Sequence, residues 1–314
     1  VVVDSTASLP AGLAAQHRIV VVPMTLSFGG ELLRDGVDIQ PDEFYRRLAS
    51  GATLPKTASP SPGDFVAAFE AAAFRGARAI LCLTLAKELS STYDAARLGA
   101  SQARERLPGV SIEVVDTRTA GGAEGLVALA AARAAARAST LSDVASVAAR
   151  VIAQAQFIGV LDTLYYIWKG GRIPRAALWA TSLLQVKPIL EIRDGKVPLV
   201  ERPRTRKRAL ERLVAIVAER SGGKPLRMIV LHGNAPQEAD VLLARLRAAV
   251  RCEEAFIAPF TPVIGAHTGP GLLGVAFHPA EHDADPGKTS VLGADDPVLT
   301  KLWDNEKDAA YDRL

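Results

Sequence analysis

The chain has 314 residues, 49% hydrophobic and 23% charged, with a net charge of +3. That length supports two ordinary cores, and the balance excludes a disordered or fibrous chain. So small a charge does not by itself point to nucleic acid, and no run of about 18 apolar residues is present to span a bilayer.

Taken in chain order, short β-rich runs alternate with helical patterns, which predicts an α/β fold. Val1–Asp4 reads as a buried strand, and 22–28 as one half-exposed strand, because Val22, Met24, Leu26 and Phe28 alternate with polar or small residues. Helices are predicted over 41–48 and 62–74, with a loop between them. A continuous apolar strand follows at 79–85, a helix at 92–106, a strand at 111–115, and two Ala-rich helices at 123–138 and 141–155. The pattern then restarts with a strand at 157–161 and a hairpin over 187–201 turning at Asp194-Gly195. A basic helix at 206–220, a strand at 227–232, a helix at 236–250 and strands at 255–264 and 273–277 complete it.

The boundary between two α/β domains is placed near 156, giving 1–156 and 157–280. Residues 281–314 are more acidic and read as a tail with one short helix at 297–312. The two cysteines, Cys82 and Cys252, lie in apolar stretches and read as buried reduced thiols, which points to the cytoplasm. No secretory signal pattern is read at Val1, which already belongs to an expected strand.

Ligands in open α/β sheets sit beyond the carboxyl ends of strands. Several such turns here carry hydroxyls, glycine or histidine. Ser90 and Ser91 open a predicted helix, where a hydroxyl either caps backbone N–H groups or, with the helix dipole, receives an anion. Thr57 and Ser59 lie in a Ser/Thr/Pro cluster that equally well builds turns. His267 and Thr268 lie between Gly265 and the glycines of Gly269-Pro270-Gly271, which permit close backbone approach to a ligand. No second histidine or cysteine stands at metal-ligand spacing, and His278 and His282 are assigned to the polar tail region, so no metal site is expected. Arg172, in Lys169-Gly170-Gly171-Arg172, is either a carboxylate clamp or a solvated loop arginine. Arg202, Arg204, Arg206, Lys207 and Arg208 form a basic cluster, either solvated, a phosphate contact or a docking face for an acidic partner; for nucleic acid it lacks interleaved aromatics and a recognised motif. Gly269–Gly274 matches G-x-G-x-x-G formally, but it leads into an apolar strand and so fails as a dinucleotide site.

Seven segments in order carry a family resemblance. They are 4–10 (Asp-Ser-Thr-Ala-Ser-Leu-Pro), 56–62 (Lys-Thr-Ala-Ser-Pro-Ser-Pro), 89–93 (Leu-Ser-Ser-Thr-Tyr), 170–173 (Gly-Gly-Arg-Ile), 187–189 (Lys-Pro-Ile), Arg204-Thr205 and 267–271 (His-Thr-Gly-Pro-Gly). Together they make the chain resemble the DegV family over residues 1 to about 280. The resemblance implies two α/β domains that bind one long-chain fatty acid in a tunnel between them, with no cofactor and no metal. It implies a carrier rather than a catalyst, which presents the carboxylate to a separate ATP-dependent fatty acid kinase for acyl phosphate formation in phospholipid metabolism. Transient exchange with a membrane, and no nucleic acid, belong to the same expectation.

Thr57 and Ser90 match the family's carboxylate-holding hydroxyls, and Ser59, Ser91 and Thr268 lie in the same motifs. Arg172, Arg204 and His267 match positions associated with the headgroup or with kinase-dependent function, and Arg206 stands in the same basic run. The fold also resembles the substrate-binding part of dihydroxyacetone kinases. Two departures stand out: Thr57-Ala58-Ser59 replaces the family's frequent Thr-Ser-Gln, and Ser90-Ser91-Thr92 replaces Ser-Gly-Thr. The competing expectation is a serine hydrolase or acyltransferase acting on lipid-like esters through Ser90 and His267.

Overall fold

The computed structural model describes residues 1–51, 54–137, 140–172 and 186–280. The tail helix expected at 297–312 lies outside them.

Strand β1 (Val2–Asp4) runs into a single 3-10 turn, Ser5–Ala7, then α1 (Ala11–Gln16) and β2 (Val20–Val22). A small antiparallel sheet follows, with β3 (Thr25–Phe28) paired to β4 (Glu31–Arg34) and, beyond α2 (Pro41–Ala49), to β5 (Lys56–Ala58). The units α3 (Pro62–Phe74), β6 (Ala79–Thr84), α4 (Thr92–Arg106) and β7 (Ser111–Asp116) complete an all-parallel sheet of order β2-β1-β6-β7. Two helices, α5 (Gly122–Ala136) and α6 (Leu141–Ile152), lead to β8 (Gln156–Val160) and α7 (Tyr165–Gly170). The hairpin β9 (Ile189–Ile192) and β10 (Leu199–Glu201) precedes α8 (Arg206–Ser221), β11 (Leu226–His232) and α9 (Pro236–Ala249). Then come β12 (Cys252–Pro259), α10 (Pro262–Thr268) and β13 (Leu273–Pro279), closing a mixed sheet of order β10-β9-β8-β13-β11-β12.

Local chemistry sets the helix starts. Ser61 with Asp64, and Thr140 with Asp143, form reciprocal capping boxes at α3 and α6. Proline occupies the first turn of α2, α3, α9 and α10, where its missing N–H costs nothing. The hairpin turns where expected, with Asp194 and Gly195 both at positive φ, 52° and 71°.

The layers follow from alternation. One face of the parallel sheet packs Val2, Ile80 and Cys82 on α3 and α4, and the other turns Val3, Leu81 and Leu83 toward α5 and α6. In the mixed sheet, Ile158, Val160, Met228 and Val230 face α8 and α9, whereas Phe157, Ile229 and Leu231 face α5. Helix α5 thus lies between two sheets and is buried on all sides, which its Ala-rich sequence permits.

Several expected elements differ. The strand expected over 22–28 divides at Pro23-Met24: β2 joins the parallel sheet and β3 the small one. A proline has no N–H to continue a ladder. Lys56–Ala58, expected as loop, is strand β5, and 165–170 forms a helix that the sequence pattern did not suggest. The strand expected to 264 ends at Pro259; Pro262 instead starts α10, which takes up Gly265–Thr268 and leaves Gly269-Pro270-Gly271 as the turn. His278 is not in a polar tail but buried in β13.

Candidate functional site

A cavity of about 140 Å³ opens between the mixed sheet, the small sheet and α10. Leu161, Leu190, Leu272 and the edge-to-face pair Phe157–Phe260, with ring centres 5.9 Å apart, come from the mixed sheet and its loops. Met24, Leu85 and Leu89 contribute from the first half of the chain, and Ile167, Val263 and Ile264 from α7 and α10. Gly159 and Gly274 pair across β8 and β13, and a Cβ on Gly274 would stand 2.6 Å from Phe157. Glycine is needed there for the ring to lie flat on the sheet.

Polar groups gather at one part of this wall. Thr57, Ser59, Ser90, Arg172, His267 and Thr268 all line the cavity. Thr57 stands on β5, opposite Leu26, and its Oγ1 is 2.8 Å from Nε2 of His267 in the last turn of α10. Ser90 Oγ accepts the N–H of Thr92 at 3.3 Å and lies 2.8 Å from Thr92 Oγ1, so it occupies the turn that starts α4. Ser91 does not line the cavity; its hydroxyl is 2.9 Å from that of Ser59. Thr268 Oγ1 donates to Ile264 O at 2.8 Å, which turns it back onto its own helix. Arg172 is exposed and donates to Gly170 O at 2.8 Å.

Burial, and then the nearby charge of Arg172, lower the His267 pKa to about 4. The ring is therefore neutral at ordinary pH. Its Nδ1 is buried without a partner. An orphaned N–H is rarer and costlier than an orphaned lone pair, which assigns the proton to Nε2. Nε2–H then donates to Thr57 Oγ1, and the Thr57 hydroxyl keeps its own proton for a ligand in the cavity.

Ser90 and His267 share the cavity but not a hydrogen bond. Ser90 is paired with Thr92, and both histidine nitrogens are accounted for by Thr57 and by burial. Ser90 and His267 are therefore not assembled as a nucleophile and its base. Arg204 and Arg206 do not line the cavity. Arg204 is exposed just before α8, and Arg206 Nε pairs with Glu238 on α9 at 2.9 Å. That segment touches the Lys187 motif through Lys187 N–H to Pro203 O, 2.7 Å. Among the described residues no group of three or more His, Cys, Asp or Glu is placed to hold a metal ion.

Beneath the cavity lies a feature the sequence did not reveal. Thr6, on the cavity wall, has its hydroxyl 2.6 Å from Asp4 Oδ1 and 2.7 Å from Glu124 Oε2, and all three residues are buried. One hydroxyl has one proton, so one of the carboxyls must be protonated. Burial, and next the charge of Asp4, raise the Glu124 pKa well above the ordinary value. Burial raises Asp4 too, but Asp4 also accepts the N–H groups of Thr6 at 3.0 Å and Leu85 at 2.8 Å, so of the two it is the one that keeps the charge. The chain runs Glu124 O–H to Thr6 O–H to Asp4. The only signal in the sequence was a lone acid at the start of an otherwise Ala-rich helix.

An α/β scaffold with an apolar cavity and a cluster of hydroxyls on its wall suits an amphipathic ligand with a polar head. The family model described as "Uncharacterised protein, DegV family" matches residues 1–280, and the chain belongs to this family. A DegV domain-containing protein of Streptomyces coelicolor is 38% identical over 276 residues, covering 88% of this chain and 96% of the relative. Among solved structures, the fatty-acid-binding DegV family protein of Thermus thermophilus aligns with a TM-score of 0.81 at 30% identity, covering 88% of this chain and 98% of that one. DegV of Bacillus subtilis, a fatty acid binding protein, aligns at 0.78 and 29% identity, covering 88% and 98%.

Proposed function

We propose that this protein binds one long-chain fatty acid, with the hydrocarbon in the cavity and the carboxylate at Thr57 and Ser90, and presents it to a separate fatty acid kinase. The observation that carries this reading is the Thr57–His267 pair at the edge of an apolar cavity. A neutral histidine that donates to a threonine leaves that threonine as a donor, which holds a carboxylate without attacking it. Ser59, Ser91 and Thr268 shape the surroundings, and Arg172 supplies a nearby positive charge. The solved relatives support the ligand class.

The magnitudes agree. Burying a methylene contributes about 0.8 kcal/mol, so a chain of about fourteen gives roughly 11 kcal/mol gross. That offsets much of the cost of association, and hydrogen bonds to the carboxylate then favour a fatty acid over a hydrocarbon. Residues 1–156 and 157–280 serve as the two halves that enclose the ligand, and the two unpaired cysteines support a cytoplasmic location. The carrier needs no cofactor or metal of its own.

The basic run at Arg204 and Arg206 lies away from the cavity wall and is assigned to the kinase. Titration with palmitate tests the binding half: Thr57→Val and Ser90→Ala should each weaken affinity about tenfold. Unchanged affinity in both would remove the headgroup assignment. For the kinase half, acyl phosphate formation by an ATP-dependent fatty acid kinase should fall in Arg204→Ala and Arg206→Ala while palmitate affinity holds.

A further inference from the structure

Asp35 follows β4 and is 2% exposed. Its backbone N–H donates to Met24 O at 2.8 Å, which fixes it beneath the small sheet. One carboxylate oxygen, Oδ2, accepts the Ser5 hydroxyl at 2.6 Å, in the turn that follows β1. The other, Oδ1, accepts the N–H of Val263 at 3.3 Å, 228 residues away in the chain.

Val263 is the second residue of α10. The first, Pro262, has no N–H, and Thr261, which stands where a threonine ordinarily caps a helix, makes no cap bond. The first N–H offered by this helix is therefore satisfied from the opposite half of the chain. The same short helix places Val263, Ile264, His267 and Thr268 on the cavity wall, and His267 bonds Thr57. A seven-residue helix has little cooperativity of its own, so its position depends on what holds its ends.

We infer that Asp35 is a positioning residue for the ligand headgroup: by capping α10 across the fold, it sets where His267 and Thr268 stand against Thr57. This rests on the fatty-acid reading above. A charged carboxylate holds a helix N-terminus better than a neutral one. The groups that face it are Asp4 from β1, Tyr45 from α2, and the hydroxyls of Ser5 and Thr261. Burial, with a smaller push from Asp4, raises the Asp35 pKa to about 7, and Tyr45 is held protonated by its own burial. The strength of the cap therefore changes across neutral pH, whereas His267 remains neutral there.

The test compares palmitic acid with hexadecanol, equal in length but without a carboxylate, as ligands for wild type and Asp35→Asn. In wild type, preference for the acid should rise about five- to tenfold between about pH 6 and pH 8, a range in which a free carboxylic acid is already ionised. Asp35→Asn should lose that rise and bind the acid about tenfold more weakly at pH 8, with hexadecanol affinity held within about twofold. In the ligand-free protein, the ¹⁵N signals of the His267 ring should differ between the two. Equal losses for acid and alcohol, with unchanged His267 signals, would overturn the inference. Should Asp35→Asn fail to fold, the wild-type profile decides, and a pH-independent preference would sink the idea. If wild type takes up neither ligand, the fatty-acid reading itself fails, whereas a His267 shift in the ligand-free variant would still tie Asp35 to α10.

Discussion

At the scale of single residues, two buried hydrogen-bond chains govern the site. Because Glu124 already carries a proton, an amide fits its place. Glu124→Gln should therefore change stability by under about 1 kcal/mol at neutral pH, whereas Thr6→Val, which strands the Glu124 carboxyl and takes one partner from Asp4, should cost about 1–3 kcal/mol by chemical denaturation. A large loss in Glu124→Gln would mean that the charge sits on Glu124 after all. The histidines add a pH dependence whose sign is fixed. Burial lowers both His267 and His278 to about 4, below the ordinary 6.5 of the unfolded chain. The unfolded state binds more protons in that window, so stability falls as pH drops from about 6.5 to about 4. Asp35 opposes this, since the folded protein keeps its proton up to about 7 and the unfolded chain does not. Its contribution therefore falls as pH rises from about 4 to about 7. His278→Asn should shrink the acid-side loss, read as the difference in denaturation midpoint between about pH 6.5 and pH 4.5. Thr57, Ser59 and Ser90 stood out in the sequence as hydroxyl-rich turns, and the structure brings all three to one cavity wall. Asp35 and Glu124 were not, since their partners lie 228 and 118 residues away, as Val263 and Thr6 respectively.

At the scale of elements, α5 shows how close packing limits substitution. Gly125 lies near the start of α5, where alanine is intrinsically better by up to about 1 kcal/mol. A Cβ there would stand 2.6 Å from the carbonyl oxygen of Ala7 and 3.1 Å from Leu9. Backbone does not yield as a side chain does, and overpacking costs about 1–3 kcal/mol, so Gly125→Ala should be destabilising overall. A rise in melting temperature would contradict that packing. Long periodic elements were read well: α3 and α4 fall on the expected residues, and β6 and β7 within a residue of them. Failures fall where the signal is three to seven residues long. Strand β5 is a strand only because β3 is there to pair with it, and the first N–H of α10 is taken up by Asp35 from across the fold. Neither partner is visible in the local sequence.

At the scale of the molecule, the cavity exists because the small sheet, α10 and the mixed sheet meet over one open space. A fatty acid held there, as proposed, would be part of the folded state. A ligand bound only by the folded form stabilises it by RT ln(1 + [L]/Kd), about 2.7 kcal/mol at a hundredfold excess over Kd. Delipidated protein should therefore melt several degrees lower and recover on adding palmitate; if lipid leaves the transition unmoved, the cavity is not the binding site. Native mass spectrometry of the purified protein, followed by solvent extraction and identification of what it carries, is the most direct test of the carrier itself. One fatty acid per chain is expected, and its occupancy should drop in Thr57→Val and Ser90→Ala. A chain that emerges empty and takes up no fatty acid when one is supplied would contradict the account.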